Sequence, residues 1–267
     1  MNDLILKSYV DDYSTRYDHL DQPEYLQFEF FAAHCLVAED FEGHFDAEDF
    51  SVGDANGIDS IAIFIGDTLV ESSAAVESLA RQNMEARFLF IQTKTSSSLD
   101  QGAILKFTRA VRYFFSTDKK PEDYPLSEWH HIKDAIYKNA IKFAENPTVE
   151  LRYVSTSLGQ PNQLMVETVN GEVRLLEGTN LFSEVKFSFV NPEDLKSLYR
   201  RLSNKITKQI NFEKHTILPK IQGVKRAFIG ILPCKEYLKL ICDEKGKLLR
   251  NVFYDNVRDY QGENSVN

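Results

Sequence analysis

The sequence predicts an α/β fold in which helices flank a central mixed sheet over residues 1–156, followed by a smaller α/β region over 157–267. Two observations lead to this prediction. Stretches with apolar residues at helical spacing alternate with short apolar runs rich in β-branched residues, which are typical of buried strands. Such alternation is typical of layered structures in which helices cover a sheet. A chain of 267 residues is also long enough to bury a substantial core.

The predicted helices follow from apolar residues that recur every three or four positions. The first helix spans 23–40, with Asp21 as a candidate N-cap and Gly43 just beyond its end. A second long helix, 101–115, has its apolar residues on one stripe. Further helices are expected over 74–84, 129–145, 192–208 and 233–242.

The predicted strands are short and apolar. Residues 58–65 follow a Gly-rich turn at 53–57. The run RFLFIQTKT, 87–95, is nearly continuous in apolar character up to Gln92, which indicates burial on both faces of a sheet. Further strands are expected over 149–156, 184–190 and 212–218, whereas 226–232 is either a strand or a buried helix.

The composition favours a cytoplasmic protein without a membrane anchor. No apolar run approaches the ~20 residues that span a bilayer, and the acidic N-terminus lacks the basic start of a secretion signal. The cysteines, Cys35, Cys234 and Cys242, form no C-x-x-C pair, so a structural zinc site is not expected. A sparse set suits a reducing cytoplasm, and Cys35 is expected in the core. A homo-oligomer is left open.

The negative charge is concentrated in the first part of the chain. The net charge is −9, and residues 1–50 have thirteen acids and two bases, a net of −11, so the other 217 residues sum to +2. Between residues 193 and 226 there are nine bases and three acids. A basic surface for nucleic acid is therefore compatible with the composition, although a solvated helix face explains the same run.

Three polar residues near the ends of two predicted strands form a candidate site. Asp59 is the second residue of strand 58–65, and Gln92 and Lys94 lie near the end of strand 87–95. Because side chains alternate along a strand, Gln92 and Lys94 point to one face, and Asp59 can join them if the strands are neighbours. The site would then combine a carboxylate, an amide oxygen and an ammonium group.

Phosphodiester hydrolysis requires groups of this kind. Asp59, Gln92 and the main-chain carbonyl of Thr93 offer the oxygen ligands that Mg²⁺, or Mn²⁺ in its place, prefers. The cation activates water and offsets phosphoryl charge, Lys94 stabilises the same charge, and Glu29 can add a carboxylate through a bound water. The competing interpretation is that these are solvated surface groups. Polar residues inside an apolar strand, however, need a compensating partner.

A second set of candidates follows Lys94 at three-residue steps. Lys106, Arg109 and Arg112 lie on the flank of helix 101–115, where they could meet a phosphate backbone. Solvation of a helix surface explains these bases equally well. The six histidines have no spacing that is typical of metal ligands.

The two strands and their flanking turn resemble the restriction-endonuclease-like core of PD-(D/E)xK nucleases, in its Mrr-type D…Q-x-K form. In that family a helix with a Phe-Glu pair precedes a G-x-x-G-I-D strand, and Phe28-Glu29 and GDANGID at 53–59 match. QTK at 92–94 matches the third motif, with Gln where many members have Glu, which removes one negative metal ligand. The resemblance implies a Mg²⁺-dependent nuclease with four catalytic residues, Glu29, Asp59, Gln92 and Lys94.

The last residues resemble the abortive infection phage resistance (AIPR) family. NVRDY at 256–260, followed by Gly262 and Asn264, matches its most recognisable stretch. Proteins of that family are typically much longer, so the chain is expected to be the N-terminal part of such a protein. The resemblance implies a role in bacterial anti-phage defence. A polar turn that packs against downstream sequence is the favoured explanation of Asn256 and Arg258.

Two hypotheses about function follow. Under the first, the chain is a Mg²⁺-dependent endonuclease that cuts nucleic acid, with DNA favoured over RNA, in antiviral defence. Under the second, it is a catalytically degenerate nuclease fold that serves as a nucleic-acid- or partner-binding module. Asp59 and Lys94 favour the first hypothesis, whereas Gln92 and the acidic N-terminus keep the second open. An α/β domain without any site is disfavoured by the paired motifs.

Overall fold

The structure, a computed structural model, describes residues 1, 3–41, 43–55, 57–116, 126–203, 208–219, 227–242, 246 and 248. The chain divides into two compact units, Met1–Leu202 and Ser203–Asn267. Among the residues in these described ranges, no helix has both the length and the apolar character needed to cross a membrane.

Helices and strands alternate along the first unit. Its helices are α1 (Leu4–Arg16), α2 (Glu24–Asp40), α3 (Ser73–Leu79), α4 (Gln101–Phe114), α5 (Ser127–Lys138), α6 (Gln163–Glu177) and α7 (Pro192–Ser203). Its strands are β1 (Ser51–Ala55), β2 (Ile58–Ile65), β3 (Thr68–Leu69), β4 (Ala86–Lys94), β5 (Thr148–Ser155) and β6 (Glu184–Val190). Short 3-10 turns lie at Ala47–Phe50 and Ala140–Lys142.

The strands of the first unit form one six-stranded mixed sheet. The order is β1-β2-β4-β5-β6, with β3 paired to β2 beside this path. β1, β3 and β4 run antiparallel to β2, whereas β5 is parallel to β4 and β6 is parallel to β5. The structure therefore confirms the predicted α/β fold with a central mixed sheet flanked by helices.

Apolar side chains fill both sides of this sheet. Phe88 and Phe90 pack in one core with residues of α3, α4, α5 and α6. Leu89 and Ile91 pack in a second core with residues of α1, α2 and α7. The continuous apolar run of β4 therefore reflects burial on both faces, as predicted. Cys35 of α2 is fully buried in the second core, which confirms its predicted place.

Several element boundaries differ from those predicted. Helix α2 begins after Pro23, which makes no side-chain capping bond, so Asp21 is not the N-cap. Helix α3 ends at Leu79 instead of continuing to 84, and Met84 bridges to Phe143. Helix α5 gives way to a 3-10 turn after Lys138. Helix α1 was not predicted, although its buried residues follow helical spacing.

The first unit extends past the boundary expected at residue 156. Strand β6 joins the sheet beside β5, α6 packs against α4, and α7 contributes apolar residues to the core of α1 and α2. Helix α6 was not predicted, because only Val169, Glu172 and Leu176 of its 15 residues are buried. Such sparse burial leaves little apolar periodicity in the sequence.

The second unit contains a hairpin and a helix. Strands β7 (Glu213–Ile217) and β8 (Phe228–Ile231) pair antiparallel, and α8 (Cys234–Ile241) follows. The stretch 226–232 is thus a strand where the structure describes it. The Glu236 side chain accepts a hydrogen bond from the Asn211 main chain at 2.9 Å. The AIPR-like run from residue 256 lies outside the described residues.

Candidate active site

Asp59 lies where strands β2 and β4 separate. Regular pairing between these strands ends at Ser60. Asp59 Oδ2 accepts hydrogen bonds from the Thr93 main-chain N–H at 2.7 Å, from Thr93 Oγ1 at 2.8 Å and from Gln92 Nε2 at 2.7 Å. Because Gln92 and Thr93 are consecutive, their side chains leave opposite faces of β4. The Asp59 carboxylate therefore lies between the strands, and not wholly on the face of Gln92 and Lys94.

The turn before Asp59 is packed against helix α4. Gly57 has a φ of +105°, a left-handed conformation that favours glycine. A Cβ at this position would lie 3.1 Å from Lys106 Cγ and 3.3 Å from the Phe107 main-chain nitrogen. Glycine is thus required both by the turn and by the close approach of α4. This packing fixes the point at which β2 begins, and with it the position of Asp59.

The Gln92 side chain links two of the predicted metal ligands. Its Nε2 donates to Asp59 Oδ2 at 2.7 Å and to the Thr93 carbonyl oxygen at 3.2 Å. Gln92 is only 1% exposed, so these bonds replace water as partners of a buried polar group. The amide nitrogen consequently lies next to both oxygens that were predicted to bind a cation.

One oxygen of the Asp59 carboxylate remains available. All three hydrogen bonds to Asp59 end on Oδ2, and no residue within the described ranges donates to Oδ1. A carboxylate oxygen without a protein donor is free to meet water or a hard cation, which prefers such ligands. Asp59 is thus anchored through one oxygen and open through the other.

Glu29 faces this arrangement from helix α2. It is 7% exposed and accepts a hydrogen bond from Ser51 Oγ at 2.8 Å. Burial raises the pKa of Glu29 to about 7, and the negative charge of Asp59 adds to the rise. The Ser51 hydrogen bond and the charge of Lys94 oppose it. Asp59 and Lys94 are thus near enough to Glu29 for their charges to act on its ionisation.

Lys94 lies at the end of β4 and borders an open cleft of about 790 Å³. The cleft runs from the end of β4 to the first turns of α4, and its lining includes Lys94, Ser96, Ser98, Gln101 and Lys106. Lys94 is half-buried. Its ammonium forms no ion pair with any residue that the structure describes.

Arg109 and Arg112 are oriented towards a protein carboxylate. Arg109 Nε lies 3.8 Å from Glu172 Oε1 and an Arg112 guanidinium nitrogen lies 3.7 Å from Glu172 Oε2. Glu172 belongs to α6 and is 9% exposed. Of the three bases proposed to meet nucleic acid, Lys106 lines the cleft, whereas the two arginines join α4 to α6.

Three residues near the site were not predicted to contribute side chains. Ser51 donates to Glu29, and Thr93, which was predicted to contribute only its carbonyl, also donates its hydroxyl to Asp59. Tyr153 is fully buried beside Gln92 on the neighbouring strand, and burial raises its pKa to about 12. Only Thr93 had a signal in the sequence, because it lies inside the Q-x-K motif.

The groups that could bind a metal ion include two kinds of oxygen besides carboxylate oxygens. Within the described part of the chain, no cluster of three or more His, Cys, Asp or Glu side chains could hold a metal ion. The candidate site instead offers Asp59 and Glu29 together with the Thr93 carbonyl and the Gln92 amide. These oxygens fit a hard cation such as Mg²⁺, although with fewer negative charges than a site built from three carboxylates.

Comparison with known proteins adds no family assignment. No family model matches the chain, and neither the curated proteins nor the solved structures include a match to it.

Proposed function

We propose that this chain is a metal-dependent nuclease that hydrolyses phosphodiester bonds of nucleic acid, with DNA as the favoured substrate. The observation that supports this proposal best is the Asp59 carboxylate, anchored by Gln92 and Thr93 at the splayed ends of β2 and β4. The charges of Asp59 and Lys94 both act on the ionisation of the nearby Glu29 carboxyl group. A restriction-endonuclease-like core is part of the proposal, and the mixed sheet flanked by helices agrees with it.

Asp59, the Thr93 carbonyl and Gln92 are the groups that would hold Mg²⁺ or Mn²⁺. When bound, the cation supplies Lewis-acid chemistry, because it activates water and offsets charge on phosphoryl oxygens. The Gln92 amide would have to turn its oxygen towards Asp59, since its nitrogen now donates to two of the expected ligands. Glu29, whose pKa is raised to about 7, is a second carboxylate that can accept a proton near neutral pH.

Lys94 has a different role in this proposal. Its ammonium is unpaired among the described residues and borders the open cleft, so an anionic substrate can reach it. A fixed positive charge beside the scissile phosphate stabilises the charge that develops during hydrolysis. Loss of Lys94 should therefore lower turnover more than it lowers substrate or metal binding.

Two substitutions separate these roles. Asp59→Asn, which keeps an acceptor for Thr93, should remove Mn²⁺ binding in calorimetry and Mg²⁺-dependent cleavage of plasmid DNA. Lys94→Ala should retain Mn²⁺ binding but lower turnover roughly 100-fold or more, as loss of one charge-stabilising group does elsewhere. Lys138→Ala, an exposed lysine of α5, is the control, with thermal melts for every variant. Unchanged cleavage in both site variants would contradict the proposal.

A second candidate function is a degenerate nuclease fold that binds nucleic acid or a partner without cleaving it. The observation that favours it is the Gln92 amide, which satisfies Asp59 and the Thr93 carbonyl without any cation. Calorimetry decides between the two candidates. A nuclease binds Mn²⁺ in an Asp59-dependent way, whereas a degenerate module shows no such binding. A role in anti-phage defence rests on the resemblance of the last residues to the AIPR family.

A further inference from the structure

The cleft beside Lys94 has an unusual balance of charge for this acidic chain. Lys94 and Lys106 both line it, and neither forms an ion pair with a residue in the described ranges. The acid in its lining, Asp100, is engaged, because its side chain accepts a hydrogen bond from the Gly102 main chain at 2.8 Å. The lining thus carries two lysines and one aspartate, a net charge of +1, and the aspartate is held at the start of α4 by its hydrogen bond to Gly102.

Lys106 packs against the turn that precedes Asp59. Its side-chain stem packs against Gly57, two residues before Asp59, where an added Cβ would lie 3.1 Å from Lys106 Cγ. The next two bases of α4, Arg109 and Arg112, face Glu172 instead of the cleft. Lys106 is therefore the base of α4 that is placed to extend the positive charge of Lys94 away from the site.

The remaining lining indicates what kind of contact the cleft makes. Ser96 donates to the Ser98 carbonyl at 2.7 Å, and Gln101 donates to Thr168 at 3.0 Å, so these side chains are already engaged. Among the residues that the structure describes, the lining includes no aromatic ring on which a base could stack. Contacts made by lysines to phosphates position a strand but transmit no sequence information.

We infer that the cleft between β4 and α4 binds the sugar–phosphate backbone of DNA next to the scissile bond, independently of base sequence, with Lys106 as the main phosphate contact. This inference rests on the proposed function for the identity of the ligand. The cleft has a volume of about 790 Å³, which is within the range of sites that bind small ligands. Lys94 marks the end of the cleft that adjoins the site, and Lys106 marks the track that leads away from it.

The test is fluorescence anisotropy with two labelled DNA duplexes of unrelated sequence, using the full chain in EDTA so that no cleavage occurs. The unaltered chain should bind both duplexes with affinities that agree within about twofold. Lys106→Glu should weaken binding to both by roughly tenfold and reduce the slope of log K against log salt by about 1, which corresponds to one lost phosphate contact. Lys106→Arg should restore most of the affinity.

Lys138→Glu is the matched control, because it introduces the same change of charge at an exposed lysine outside the cleft. Equal weakening by Lys106→Glu and Lys138→Glu, strong preference for one duplex, or no binding by the unaltered chain would overturn the inference. Mn²⁺ calorimetry on the same preparations tests the proposed function separately. Absence of Mn²⁺ binding by the unaltered chain would contradict the proposed nuclease function. If the unaltered chain binds Mn²⁺ but Lys106→Glu leaves DNA binding unaffected, only the inference about the cleft is contradicted.

Discussion

The two sides of the sheet at the end of β4 differ in the sign and the burial of their charged side chains. On the side of α2, Glu29 is buried and hydrogen-bonded only to Ser51 within the described residues, and its pKa is raised to about 7. On the side of α4, Lys94 and Lys106 border an open cleft. Burial makes a carboxylate costly to ionise unless a cation arrives, whereas the two lysines border open solvent and form no ion pair with any described residue. One strand end thus separates a region suited to a cation from a region suited to a phosphate.

The largest effect is expected on the stability of the protein, when the buried carboxyl group of Glu29 is removed. Glu29→Gln keeps an acceptor for Ser51 but removes the titrating group. Because the folded-state pKa is raised, the folded protein holds the proton more tightly, and the free energy of unfolding falls as pH rises from about 4.5 through 7. The variant should be more stable than the unaltered metal-free chain at pH 8, by up to about 3 kcal/mol, and equally stable near pH 4.

Urea unfolding of both proteins across this pH range measures the difference. Glu77→Gln, at an exposed position of α3, is the control and should show no comparable gain at pH 8. A constant difference between Glu29→Gln and the unaltered chain at all pH values would contradict a titration of Glu29.

An intermediate effect is expected when the buried side gains charge. Gln92→Glu adds a negative ligand beside Asp59 and removes the amide that now donates to it. Affinity for Mn²⁺ should rise by roughly tenfold, about 1.4 kcal/mol, because hard cations bind more tightly as the number of charged ligands grows. The metal-free protein should also become less stable, since two carboxylates then lie together.

Calorimetric titration with Mn²⁺ measures this change, and Gln82→Glu, at an exposed position before β4, is the matched control. Unchanged Mn²⁺ affinity in Gln92→Glu would show that residue 92 is not part of a cation site.

The smallest effect is expected on the open side, at the arginine nearest the end of α4. Arg112 faces Glu172, so Arg112→Ala should change DNA affinity less than twofold and cost at most about 1 kcal/mol of stability, as partly exposed ion pairs do. Anisotropy and thermal melts on this variant measure both quantities, with Lys138→Ala as the control. Weakening of DNA binding comparable to that of Lys106→Glu would move the phosphate contact to the arginines.

The sequence predicts the sheet well where burial leaves a periodic trace. The continuous apolar run of β4 predicts a strand between two cores because both faces are filled. Gln92 and Lys94 interrupt that run, which marks them as candidate site residues. The partners of Glu29 and of the two arginines leave no such trace, since Ser51 lies 22 residues away and Glu172 belongs to a helix with few buried residues. Contacts of this kind depend on tertiary packing, which local patterns do not encode.

The double burial of β4 also bears on how the site keeps its shape. Up to Ile91 the strand is held by one core on each face, and residues 92–94 continue it without a break. The main-chain positions of these residues are therefore set by packing and not by an incoming ligand, which is a condition for preorganisation, although the Gln92 amide still has to turn before it can bind a cation. Substitutions that loosen either core, such as Ile91→Ala, should misplace the Q-x-K residues relative to Asp59. Activity would then be lost because the side chains of the site are misplaced, although every one of them is still present.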